Sequence, residues 1–184
     1  MKKVLLIGDS IRIGYQPEVQ RQLAGIWEVA GPKENCMFSG YTLKMIRRWL
    51  EEFGPVDVVH WNNGIWDVGR HTDGEVFTPL PYYLDNLTRT LRVLKSVGIR
   101  VVWASTTPVN DAHPNIRNAD ILRYNCASGQ LMADNGIPVN DLHAVVSRNI
   151  DMYISGTDFV HLSPEGVAVC AEAVGKALCR EGIG

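Results

Sequence analysis

The chain has 184 residues, about one domain's worth and enough to bury a core without disulfide or metal staples, so one domain over 1–184 is expected. Eighteen Lys and Arg against 20 Asp and Glu leave a formal net charge of −2, which excludes the basic field that nucleic-acid or anionic-membrane partners require. No apolar run reaches the length of a membrane span or of a signal-peptide core, so the chain as it stands reads as cytoplasmic, with no membrane partner.

Val4 to Ile7 form a short continuous apolar run ended by Gly8, the pattern of a strand buried on both faces of a parallel sheet. Helical spacing follows over 16–25 and again over 42–52, where Leu43, Ile46, Trp49 and Leu50 share a face. A second strand pattern covers 56–61. The Pro-rich stretch 78–81 introduces a helix over 82–97 carrying Leu84, Leu87, Leu91 and Leu94, and a third apolar run lies at 99–104. A helix over 117–134, stopped by Gly136, precedes a short strand at 137–139. Ser163 suits the cap and Pro164 the first position of a last helix bearing Val167, Val169, Cys170, Ala173, Val174 and Leu178. Cys36, Cys126, Cys170 and Cys179 are scattered, without the Cys/His grouping of a zinc site, and read as reduced core residues; no metal is expected. The alternation of strands and helices predicts an α/β fold, a parallel sheet with helices on both faces.

In open parallel sheets ligands sit at the carboxyl ends of the strands. Three segments qualify: Gly8-Asp9-Ser10, Asn62-Asn63-Gly64 with Asp67, and Thr106-Thr107-Pro108. Ser10 directly follows a buried strand, a position that exposes a nucleophilic hydroxyl and equally suits a turn or helix cap. Asp158-Phe159-Val160-His161 lies in the loop ahead of the last helix. An imidazole there would take the proton of a serine hydroxyl, while a carboxylate on its other nitrogen would hold the tautomer and stabilise the imidazolium. Either segment alone has a plainer reading; together, at opposite ends of the chain, they favour Ser10, His161 and Asp158 as nucleophile, base and orienting acid.

Ile7-Gly8-Asp9-Ser10 near the N-terminus, with Asp158-x-x-His161-Leu-Ser-Pro-Glu-Gly166 near the other end, resembles the SGNH hydrolase family, also called GDSL esterases and lipases. The resemblance spans nearly the whole chain. It implies a three-layer α/β/α sandwich of flavodoxin-like kind with a central parallel, five-stranded sheet, and ester hydrolysis through an acyl-enzyme without metal or other cofactor. It also implies an oxyanion hole made by the backbone N–H of the serine, the N–H of a glycine in a second block and an asparagine side chain in a third. Ser10 and Gly40 match the first two. The third block departs from the family's Gly-x-Asn-Asp: in Gly64-Ile65-Trp66-Asp67, tryptophan stands where asparagine is expected. Asn63, with Asn62 as second choice, is therefore the expected oxyanion donor. Asp9 is expected to hold its turn through backbone amides.

Trp66, Asp67 and His113 are candidates for substrate binding, whereas His60, inside a strand, reads as a hydrogen-bonded core residue. Trp61, Trp66 and Trp103 near strand ends suit core packing or stacking on a sugar. A nucleotide-binding reading is disfavoured because Gly8 to Gly14 lacks the lysine and following Ser or Thr of a phosphate loop. The expectation is a serine esterase acting on a small-molecule ester, leaning towards a short acyl group such as acetate on a carbohydrate. The alternatives are a catalytically impaired ligand-binding protein of the same fold, or a lysophospholipase or thioesterase of the same family.

Overall fold

A computed structural model describes residues 1–180. Strands β1 (Lys2–Ile7), β2 (Trp27–Ala30), β3 (Val58–Trp61), β4 (Arg100–Ala104) and β5 (Val139–Asn140) form one parallel sheet in the order β2-β1-β3-β4-β5. The order reverses direction between β1 and β3, which makes the crevice above their carboxyl ends the natural ligand position.

The helices are α1 (Ser10–Gln22), α2 (Ser39–Phe53), α3 (Ile65–Val68), α4 (Leu80–Ser96), α5 (Asn118–Asp134), α6 (Leu142–Ser147), α7 (Ile150–Tyr153) and α8 (Pro164–Arg180). Alternate strand residues feed two cores, as the two-residue period of a strand dictates. Leu5, Ile7, Val59, Trp61, Val101 and Trp103 pack on α2, α4 and α5. Val4, Leu6, Val58, Val102 and Ala104 face α1, α6 and α8. The result is the three-layer sandwich expected from the alternation. None of the described helices is long and apolar enough to cross a membrane.

Three local readings need correction. The helix placed at 16–25 begins at Ser10, because the Asp9 carboxylate caps it by accepting from Ile11 N–H at 2.9 Å. Pro17 does not stop it. Strand β2 has no apolar run to announce it: Trp-Glu-Val-Ala is an edge strand with only Trp27 buried. Cys126 and Cys179 are exposed rather than core residues, since each lies on the outer side of a helix, while Cys36 and Cys170 are buried.

Candidate active site

Ser10 begins α1 immediately beyond β1, so its hydroxyl stands at the carboxyl end of a central strand. Asp158 and His161 lie on the strap between α7 and α8. That strap is closed on itself by Ser155 N–H to the His161 carbonyl at 2.7 Å and by an isolated bridge between Ile154 and Leu162. Phe159, inside it, takes φ +64°, a left-handed conformation that costs a side-chain-bearing residue about 1–2 kcal/mol. Its carbonyl is received by Asn110 N–H at 2.9 Å, which ties the strap to the segment after β4.

Residues 151 positions apart thus meet in a relay. Ser10 Oγ is 2.8 Å from His161 Nε2, and His161 Nδ1 is 2.8 Å from Asp158 Oδ2. Asp158 Oδ1 accepts the backbone N–H groups of Val160 at 3.1 Å and His161 at 2.9 Å. Desolvation pushes the Asp158 carboxyl up, but these backbone bonds and the His161 ring together outweigh it and hold the group at about 2, so it is ionised at neutral pH. An ionised carboxylate only accepts hydrogen bonds; the His161 proton therefore sits on Nδ1, and Nε2 is free to accept from the serine.

Asp9, fully buried next to the serine, is pushed up to about 6 by burial, against the Ile11 N–H bond and the charges of Arg12 and His161. Arg12 is itself buried and joins the loop after β2 to the serine turn, its guanidinium donating to the carbonyls of Gly8, Pro32 and Glu34.

The second block is held by the third. Ser39 donates its N–H to both Asp67 oxygens, at 3.1 and 3.0 Å, and its hydroxyl to Oδ1 at 2.6 Å. This clamp anchors the start of α2, where the Gly40 N–H, like that of Ser10, has no acceptor among the described residues. Asp67 is fully buried, with burial raising its pKa to about 6 against the Ser39 bonds, so it is a support for the Gly40 turn and not a substrate contact as expected.

The expected oxyanion asparagine also needs correction. Asn63 is fully buried; its oxygen accepts from Trp61 Nε1 at 2.7 Å, and its amide donates at 3.0 Å to the carbonyl of Met37, a residue at φ +48°. Asn62 donates to the Ala104 carbonyl at 2.8 Å. Both side chains turn inward because buried polar groups at the strand ends need partners, and neither lines the cleft beside Ser10. Gly64 permits the exit from β3: a Cβ there would stand 2.0 Å from Thr106 Oγ1.

The cleft, about 480 Å³, is lined by Ser10 and His161, the apolar Trp66 and Phe77, and the polar Arg70, His113 and Asn115. Trp66 is 40% exposed, whereas Trp61 and Trp103 are buried and meet edge to face at 4.8 Å. Trp66 and His113 are thus brought to the site as anticipated. His60 is a buried core residue held at about 4 by desolvation, its Nε2 3.1 Å from Asn140 Nδ2. Sequence reasoning missed Arg70, Phe77 and Asn115, which lie in segments without periodicity or motif.

The family model described as GDSL-like lipase/acylhydrolase matches residues 6–169. No curated protein matches by sequence. Among solved structures, an acetyl xylan esterase is 22% identical, with a TM-score of 0.82 over 96% of this chain and 99% of that one. A lipase/acylhydrolase from Enterococcus faecalis is 19% identical, with a TM-score of 0.80 over 97% of this chain and 95% of that one. A GDSL-like lipase from Bacteroides thetaiotaomicron is 20% identical, with a TM-score of 0.75 over 98% and 89%. At these identities the likeness is one of fold.

Proposed function

The chain belongs to the GDSL-like lipase/acylhydrolase family, the SGNH hydrolases, and from that premise we propose that it is a serine esterase with Ser10 as nucleophile. The observation that carries this reading is the continuous relay Ser10 Oγ, His161, Asp158, with both contacts at 2.8 Å. Ser10 Oγ attacks the ester carbonyl as His161 Nε2 takes its proton, and Asp158 stabilises the imidazolium. The free N–H groups of Ser10 and Gly40 receive the negative charge that develops on the carbonyl oxygen. The tetrahedral adduct collapses as His161 hands its proton to the leaving alcohol. Water, deprotonated by the same nitrogen, then cleaves the acyl-enzyme to free acid and serine.

The substrate proposed is a short acyl group such as acetate on a carbohydrate. Support comes from an open cleft that pairs the aromatic faces of Trp66 and Phe77 with the polar groups of Arg70, His113 and Asn115, a mixture that suits a sugar better than a long alkyl chain. The solved structure of like fold at 22% identity is named as an acetyl xylan esterase. A second reading, a ligand-binding protein of weak activity, is favoured by one feature: Trp66 occupies the asparagine position of the third block, and losing one oxyanion donor lowers turnover about 10²–10³-fold.

The test is hydrolysis of p-nitrophenyl acetate, an acetylated xylo-oligosaccharide, p-nitrophenyl octanoate and an acyl thioester by wild type and by Ser10→Ala, with circular dichroism to verify folding. Loss of at least a thousandfold in Ser10→Ala, with acetyl esters the better substrates, is expected. Folded wild type without activity on any of the four would overturn the esterase reading in favour of the binding protein.

A further inference from the structure

The polar side of the cleft holds a second imidazole that takes no part in the relay. His113 lies on the segment between β4 and α5, and its Nδ1 accepts the backbone N–H groups of Asn115 at 3.2 Å and Ile116 at 3.0 Å. A ring nitrogen that accepts from N–H carries no proton, so the single proton of the neutral ring is on Nε2, on the opposite edge. No described residue accepts that proton. Protonating Nδ1 would set an N–H against two others, and burial likewise lowers the pKa of His113 although the nearby Asp158 charge opposes it. With Nδ1 engaged and Nε2 protonated, His113 cannot serve as a second base; it is a donor.

Its place also indicates what it donates to. His161 must deliver a proton to the leaving oxygen, so the alcohol portion of the substrate lies on the His161 side of Ser10. The His113 segment is joined to that side by Asn110 N–H to the Phe159 carbonyl at 2.9 Å, and to the far wall by Arg70 N–H to the Asn115 carbonyl at 3.0 Å. The Arg70 guanidinium is tied to Asp120 and to the Gly74 carbonyl, whereas the Nε2 edge of His113 meets no acceptor among the described residues.

We propose that His113 is a specificity-determining residue, a neutral imidazole whose Nε2–H binds an oxygen on the alcohol portion of the substrate, such as a sugar hydroxyl or ring oxygen. The proposal rests on the esterase reading for the direction of the alcohol, and its two readouts separate the failure of one from the failure of the other. First, long-range ¹H–¹⁵N spectra of ¹⁵N-histidine-labelled protein at pH 7, assigned with His113→Gln, are expected to show Nε2 protonated and Nδ1 bare; the opposite tautomer or an imidazolium overturns the proposal whether or not the protein is an esterase. Second, the ratio of kcat/KM on the acetylated xylo-oligosaccharide to that on p-nitrophenyl acetate is expected to fall about five- to tenfold in His113→Phe, mainly through KM, and to recover in His113→Gln, whose amide can still donate. An unchanged ratio, or equal loss on both esters, overturns it. If wild type cleaves neither ester, the esterase reading has failed, and calorimetric titration with the xylo-oligosaccharide decides: weaker binding by His113→Phe supports the donor, and equal or absent binding refutes it.

Discussion

Gly166, the third residue of α8, is buried so closely against α7 that a Cβ built on it would stand 2.1 Å from the Tyr153 carbonyl oxygen and 3.0 Å from its carbon. Gly166→Ala cannot be absorbed by a rotamer, because the obstacle is backbone. Tyr153 and Gly166 flank the strap that carries Asp158 and His161, and the same carbonyl accepts the Ser163 N–H at 2.9 Å. Contacts under 3.0 Å are essentially not seen for real Cβ atoms, so the two backbones must part by about 0.9 Å. A displacement of that size at the base of the strap moves His161 relative to Ser10, and misplacements near 1 Å cost about 100-fold in rate. Overpacking should also lower stability by roughly 1–3 kcal/mol. The assay is kcat/KM on p-nitrophenyl acetate together with the urea midpoint of the same preparation. Wild-type stability and wild-type rate in the alanine variant would refute the reasoning that this contact sets the strap; lost stability with an unchanged rate would show that the relay is insulated from it.

Asp158→Asn should leave the fold intact and lower kcat by about 10³–10⁴-fold, since an amide no longer dictates that the His161 proton sit on Nδ1; burst kinetics on p-nitrophenyl acetate report the acylation step directly. Asp67→Ala should reduce kcat by on the order of tenfold or more while leaving KM nearly unchanged, because it releases Ser39 and with it the Gly40 amide; steady-state kinetics separate this from a substrate contact, which would raise KM. The same carboxyl makes a pH prediction. Its folded pKa of about 6 lies above the ordinary 3.8, so its contribution to stability is fully present below about pH 4 and lost as pH rises through 6. Relative to wild type, Asp67→Asn should therefore gain on the order of 3 kcal/mol between pH 4 and pH 8 in urea unfolding, and a constant difference would contradict a buried ionising group at this position.

The strands β1, β3 and β4 were legible because burial on both faces demands continuous apolar runs, and α8 because Ser163 and Pro164 mark its start. Edge strand β2 was not, since one of its four residues is buried and pairing with β1 supplies the rest of its definition. In the site, Ser10, Asp158 and His161 stood out by residue type and by their places after a strand and before a helix. The third block misled: Asn62 and Asn63 have the right chemistry at a strand end, yet the carbonyls of Ala104 and Met37 and the indole of Trp61 claim them.

By itself, then, the sequence determined the α/β class, the family and the three residues of the relay, because apolar periodicity and short motifs are local properties of the chain. Only the tertiary structure decided which asparagines face inward, that Asp67 braces Ser39, and that Arg70, Phe77 and Asn115 line one cleft with Ser10. Those outcomes depend on which buried donors and acceptors come within about 3 Å of one another, a competition among segments far apart in the chain that no local pattern records.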